Sequence, residues 1–194
     1  MFKIAVLISG GGTNLQAIID SIKNNELECS IEYVISDNKN AGGLLRAERE
    51  NIKTVVFDRK EYSREEISNN VIETIHGKVD LVVLAGFLTI LRGDIIKKFN
   101  NKIINLHPSL IPNFCGKGMY GDRVHKAVLE SGVEKSGCTM HFVDEGTDTG
   151  PIIQQAEVKV EKDDTIESLR AKVNREEHKL IVKVIKQLIE DNQE

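Results

Sequence analysis

The sequence predicts an α/β protein: an open, mostly parallel Rossmann-like sheet with helices on both faces. Short β-rich apolar runs alternate along the chain with longer stretches of helical period. The first strand, Phe2–Ile8, runs straight into a glycine loop and then a helix. Leu81–Ala85 is nearly continuous aliphatic sequence, as expected of a strand buried on both faces. Together these point to parallel βαβ units, whose ligands bind beyond the carboxyl ends of the strands.

From Asn14 to about Asn24, Leu15, Ile18, Ile19 and Ile22 fall at i, i+3, i+4 and i+7, one apolar face of a helix. Ile31–Ser36 reads as a second strand, Leu44–Glu50 as a short helix and Thr54–Asp58 as a third strand. Ser63 and Glu66 form a capping box that opens a helix to about His76. After Leu81–Ala85, a helix is expected over roughly Ile90–Phe99 and a strand over Lys102–Leu106. A loop rich in proline and glycine, Pro108–Gly121, precedes a helix from about Asp122 to Glu130. Cys138–Val143 and Ile152–Val160 are later strands, and Asp164-Thr165-Ile166-Glu167 caps a helix reaching about Ile189. No repeat or linker divides the chain, so one domain over residues 1–194 is expected.

Composition excludes several classes. With 40% hydrophobic and 29% charged residues, the chain is neither collagen-like, disulfide-stapled nor largely disordered. A net charge of −4 without a basic block argues against nucleic-acid or anionic-membrane partners. The longest uncharged apolar stretch, Leu81–Leu91, is about half the ~20 residues a bilayer span needs. Cys29, Cys115 and Cys138 form no Cys-x-x-Cys pair and fit a reducing cytoplasm.

The loop Ser9-Gly10-Gly11-Gly12-Thr13-Asn14-Leu15-Gln16 brings backbone N–H groups to a helix N-terminus, where an anion is favoured. Thr13 and Gln16 fit a capping box. A dinucleotide fingerprint would need glycine where Leu15 stands, and a Walker loop would need Gly-Lys-Ser/Thr. A compact phosphate site remains, with a plain strand–helix turn as the competing reading. Asp37, at the end of the second strand, reads first as a helix-cap or turn residue.

Farther along, Asn105 and His107 stand two apart in a strand and so share a face. Pro108 keeps His107 out of the helical region. An amide beside an imidazole offers a donor and a group titrating near neutrality, although a structural histidine is the alternative. Asp148, between Thr147 and Thr149 and before Gly150-Pro151, is either an ordinary acidic turn or a carboxylate beside His107. In the second case it raises the His107 pKa. The histidines and cysteines show no His-x-x-x-His or Cys-x-x-Cys spacing, so no metal is expected.

In order along the chain, Ile8-Ser9-Gly10-Gly11-Gly12-Thr13-Asn14-Leu15, Leu84-Ala85-Gly86-Phe87, Asn105-Leu106-His107-Pro108-Ser109-Leu110 and Asp148-Thr149-Gly150-Pro151 resemble the folate-dependent formyltransferases. The resemblance covers essentially the whole chain. Its glycine loop points to the branch that acts on 5-phosphoribosylglycinamide. Relatives that act on methionyl-tRNA or that deformylate folate carry an additional domain, for which residues 1–194 leave no room.

The resemblance implies that a formyl group passes from 10-formyltetrahydrofolate, a co-substrate, to the amine of 5-phosphoribosylglycinamide in purine synthesis. Gly12, Thr13 and Asn14 would hold the ribose phosphate, with Glu177 as a further substrate ligand. Leu88, Thr89, Ile90 and Leu91 would form part of the folate pocket, with Arg59 and Asn105 facing the folate. Asn105, His107 and Asp148 would form the catalytic group, with the Asn105 amide and a protonated His107 as donors to the oxyanion. Two features depart from the family pattern: Thr89 stands where arginine is frequent, and the loop at residues 113–121 is long. The rival readings are an amino-sugar formyltransferase of the same fold and a non-enzymatic protein that binds a phosphorylated metabolite.

Overall fold

A computed structural model describes residues 1–192. In chain order the elements are β1 (Phe2–Ile8), α1 (Thr13–Lys23), β2 (Cys29–Ser36), α2 (Gly42–Arg49), β3 (Thr54–Val56), α3 (Arg64–Ile75) and β4 (Leu81–Leu84). They continue with α4 (Asp94–Lys98), β5 (Ile103–His107), α5 (Asp122–Ser131), β6 (Lys135–Phe142), β7 (Ile152–Lys159) and α6 (Ile166–Asp191). The strands form one seven-stranded sheet in the order β3-β2-β1-β4-β5-β6-β7. β1 to β5 pair in parallel, and β6 and β7 are antiparallel. The chain order reverses direction between β1 and β4, so the expected open, doubly wound sheet is present, with its crevice at their carboxyl ends.

β1 shows how the sequence divides the core. Ile4, Val6 and Ile8 point to one face and pack with Leu15, Ile18, Val173, Leu180 and Val184 of α1 and α6. Ala5 and Leu7 point to the other and pack with Ile67, Val71, Ile75 and Ile95 of α3 and α4. A period of two on a strand covered from both sides requires apolar residues at every covered position, as found over Ile4–Ile8. The same alternation in β5 sends Ile104 and Leu106 toward α1 and α6. Ile103 faces α3 and α4. Asn105 and His107 share the face of Ile103.

Three local expectations are corrected. The helix expected over Ile90–Phe99 is only Asp94–Lys98. The backbone N–H of Thr89 donates to Asp37 and that of Arg92 to Ser68, which fixes residues 89–92 as a loop anchored to other parts of the chain. Gly93 then turns the chain with φ at 74°. The Thr13–Gln16 capping box does not form, because α1 begins at Thr13 with Gly12 as its N-cap and no side chain caps it. Gln16 instead donates to Asp20 and accepts from Arg46. At α6 the capping box pairs Thr165 with Ser168 rather than with the acid at 167.

Gly12 has φ at 71°, and a Cβ there would fall 2.6 Å from Gly43 Cα, so backbone would have to move. A Cβ at Gly10 would meet nothing within 4 Å. Gly12→Ala is therefore expected to cost about 1–3 kcal/mol of unfolding free energy and Gly10→Ala less than about 0.5 kcal/mol. Urea denaturation of the two variants checks the contrast.

Candidate active site

The carboxyl end of β5 gathers a buried polar cluster. Nδ1 of His107 lies 3.5 Å from Oδ2 of Asp148, and the two side chains are only 5% and 11% exposed. Nδ2 of Asn105 lies 3.0 Å from Nε2 of His141 and donates to Oδ1 of Asp148 at 3.4 Å. The Gly116 N–H donates to the other Asp148 oxygen at 2.9 Å. Asp148 has φ at 57°, a left-handed conformation that aspartate tolerates better than most residues. The three residues expected to act together thus meet, although Asp148 is 43 positions from Asn105 in sequence. β5 ends at His107 rather than at Leu106, so the histidine is held by the strand itself.

His141 belongs to this cluster and was not among the expected site residues. Its Nδ1–H donates to the Phe142 carbonyl at 2.8 Å, which leaves Nε2 as the acceptor for Asn105. The only sequence sign is its place in an alternating strand. What makes it part of the site is the antiparallel pairing of Asn105 with His141 across β5 and β6.

Protonation follows from the hydrogen bonds. Nε2 of His107 lies 2.9 Å from the Phe114 carbonyl, which can only accept, so Nε2 carries the proton. Nδ1 then faces the Asp148 carboxylate. Burial pushes the His107 pKa down, and the Asp148 charge and the Phe114 carbonyl only partly restore it, so it stays below its ordinary value. The carboxylate does act in the expected direction, but the expected net rise is overturned because desolvation of the imidazolium is the larger effect. Burial also opposes ionisation of Asp148. The donor that His141 presents and the charge that His107 carries when protonated, together with the Gly116 N–H, outweigh it and hold the carboxyl below its ordinary range.

A second group forms at the glycine loop. Nδ2 of Asn14 donates to Oε2 of Glu177 at 3.1 Å, and Asn174 donates to the same oxygen at 2.9 Å. Thr13 lies beside Asn174 with 3.4 Å between their oxygens. Glu177 lies on the buried stripe of α6 with Val173, Leu180 and Val184, and burial raises its pKa. In the sequence the resemblance alone points to it; the structure shows it as a carboxylate interrupting an apolar stripe.

The loop after β4 completes the edge. Leu88 is exposed, while Thr89 and Leu91 are buried. Thr89 donates to Oδ2 of Asp37 through its N–H at 3.0 Å and its hydroxyl at 2.7 Å. Asp37 is fully buried, so it is the anchor of this loop and not the helix cap or turn residue expected. Arg59 reaches the same oxygen at 3.5 Å with its side chain 42% exposed. Leu88 N–H donates to Ser9 Oγ at 2.7 Å, tying this loop to the end of β1.

Thr89, Ile90, Leu91, Asn105, His141 and Asp148 line a hollow between this loop and the cluster, and His107 stands behind Asp148. A larger hollow of about 710 Å³, bordered by Phe2, Ile22 and Cys29, contains none of the residues of the cluster. Burial pushes the Cys29 thiol up to about 11 and that of Cys138 to about 12, which keeps both protonated and inert.

A doubly wound sheet with a buried cluster of imidazole, carboxylate and amide at its carboxyl edge defines an open α/β protein whose crevice lies beyond the strand ends. Within that class, the chain belongs to the formyl transferase family, whose model matches residues 2–185. It is 40% identical over 188 residues to the phosphoribosylglycinamide formyltransferase of Haemophilus influenzae, covering 96% of this chain and 86% of that one. It is also 40% identical over 191 residues to the chloroplastic phosphoribosylglycinamide formyltransferase of Vigna unguiculata. That match takes in 97% of this chain, which spans only 61% of the plant protein's length. The crystal structure of glycinamide ribonucleotide transformylase 1 from Symbiobacterium toebii superposes with a TM-score of 0.92 at 41% identity, covering 98% of this chain and 89% of that one.

The depressed pKa of His107 fixes the sign of a pH effect. Below its unfolded value of about 6.5 the unfolded chain takes a proton that the folded chain resists, so this contribution to stability is lost as pH falls. NMR titration is expected to give His107 a pKa below 6.5, and lower still in Asp148→Asn, where the stabilising charge is gone.

Proposed function

We propose that the chain transfers the formyl group of 10-formyltetrahydrofolate to the amine of 5-phosphoribosylglycinamide, a step of purine synthesis. The observation that carries this reading is the buried Asn105–His107–Asp148 cluster facing the 88–91 loop in a member of the formyl transferase family. The folate occupies the hollow beside Thr89, Ile90 and Leu91. The phosphate of the amine substrate sits on the N–H groups of Gly12, Thr13 and Asn14, and its ribose lies beside Glu177. Arg59, exposed at the rim of the 88–91 loop, faces the folate. Three free thiols fit a reducing cytoplasm.

The amine attacks the formyl carbon, and the new C–N bond places negative charge on the formyl oxygen. Asn105 Nδ2 lines the hollow, and the N–H that makes the longer bond, 3.4 Å to Asp148, turns to the formyl oxygen, where a donor of this kind contributes about 3–4 kcal/mol to the transition state. His107 is not free to serve as a second donor, because its Nε2–H is committed to the Phe114 carbonyl. It backs Asp148 instead. The attacking nitrogen gives its proton to the Asp148–His107 pair, and a proton arriving at Nδ1 is held by the carboxylate 3.5 Å away. The pair returns the proton to N10 as the C–N10 bond breaks, leaving the formylated amide and tetrahydrofolate.

The absorbance of deformylated folate measures the reaction directly. Wild-type protein is expected to turn over with 5-phosphoribosylglycinamide, and His107→Ala and Asp148→Asn to lose at least ~100-fold while keeping their circular dichroism. Turnover with an amino sugar instead would move the assignment to the amino-sugar rival. Near-normal rates in either variant would remove that residue from the mechanism.

A further inference from the structure

Helix α2 grips the back of the glycine loop at two successive peptides. Gly43 N–H donates to the Gly10 carbonyl at 3.0 Å. Arg46 Nε donates to the Gly11 carbonyl at 2.8 Å, and its Nη1 donates to Gln16 Oε1 at 3.0 Å, one turn into α1. One guanidinium thus ties α2, the loop and α1 together. In a trans peptide the C=O and the following N–H point in opposite directions. Holding the Gly11 oxygen on the α2 side therefore turns the Gly12 N–H to the far side.

Gly12 is left-handed, with φ at 71° and ψ at 34°, and is followed by the helical residues of α1. A left-handed residue followed by a right-handed one makes successive N–H groups converge into an anion-binding hollow. Among the described residues, no carboxylate pairs with Arg46, so its charge adds to the positive potential of that hollow.

We propose that Arg46 is a positioning residue for a phosphate monoester: it fixes the Gly11–Gly12 peptide so that the Gly12 N–H faces the phosphate, and it supplies an uncompensated positive charge behind the loop. The proposal rests on the functional reading above for the identity of the substrate, though not for the presence of a phosphate subsite. Arg46 acts through the loop and not on the reacting atoms.

The test compares wild type, Arg46→Met and Arg46→Lys in two assays. In steady-state kinetics, Arg46→Met is expected to raise KM for the phosphorylated amine at least ~10-fold, the loss typical of a charge-assisted hydrogen bond. Its kcat and its KM for 10-formyltetrahydrofolate should stay within about twofold. Arg46→Lys keeps the charge but cannot hold both acceptors, so its KM should lie between the two. In the second assay, inorganic phosphate is expected to raise the melting temperature of wild type and to leave that of Arg46→Met unmoved.

An equal rise in both KM values, or a phosphate response in Arg46→Met equal to that of wild type, overturns the proposal. So does the absence of any phosphate response in wild type. If Arg46→Met does not fold, an unchanged KM in Arg46→Lys overturns it and an intermediate KM supports it. If wild type fails to formylate the amine while its phosphate response still depends on Arg46, the functional reading falls and the positioning role stands.

Discussion

At the end of β5 an imidazole and a carboxylate are buried side by side, and the surrounding structure is arranged around the cost of keeping them there. Burial disfavours charge on both groups, and their mutual attraction favours it. The balance differs for the two. Asp148 receives an N–H from Gly116 and lies near His141 as well as His107, so it stays ionised. His107 has one acceptor at each ring nitrogen, and burial still keeps its pKa below the ordinary value. Burial thus weakens the hold of His107 on a proton while the carboxylate beside it strengthens that hold, so protonation of the imidazole is coupled to Asp148.

Keeping irregular backbone close to this pair requires partners for its polar groups, and short buried side chains provide them. Ser109 donates to the Asn113 and Phe114 carbonyls and so shapes the loop that faces His107. Asp37 takes both donors of Thr89, Ser9 accepts from Leu88, and Ser68 accepts from Arg92. Two loops from different parts of the chain, residues 88–92 and 109–114, are thus fixed at one edge of the sheet without a helix or strand of their own. The pattern satisfies the general demand that buried backbone groups be paired.

The sheet was legible in the sequence because strand positions covered on both faces must be apolar, as Ile4–Ile8 of β1 and Leu81–Leu84 of β4 are. So were Asn105 and His107, since period two and the following proline place them together at a strand end. Asp148 was legible only as a shaped acidic turn. Its contact with His107 depends on β6 and β7 folding back antiparallel on β5, which no local pattern specifies. His141 was missed for the same reason. Asp37 was misread because a carboxylate at a strand end usually caps a turn, and its actual partner, Thr89, is 52 residues away. The pKa of His107 was misjudged in direction because the neighbouring charge can be inferred from sequence, while the depth of burial cannot.

The central claim is that folded His107 is a neutral base, protonated at Nε2 and open at Nδ1 toward Asp148. Nitrogen-15 NMR of the protein labelled in its histidine rings, recorded above neutral pH, reads the tautomer directly. The His107 ring is expected to show a protonated Nε2 and an unprotonated Nδ1. A ring protonated at Nδ1 alone, or at both nitrogens well above pH 7, would contradict the claim.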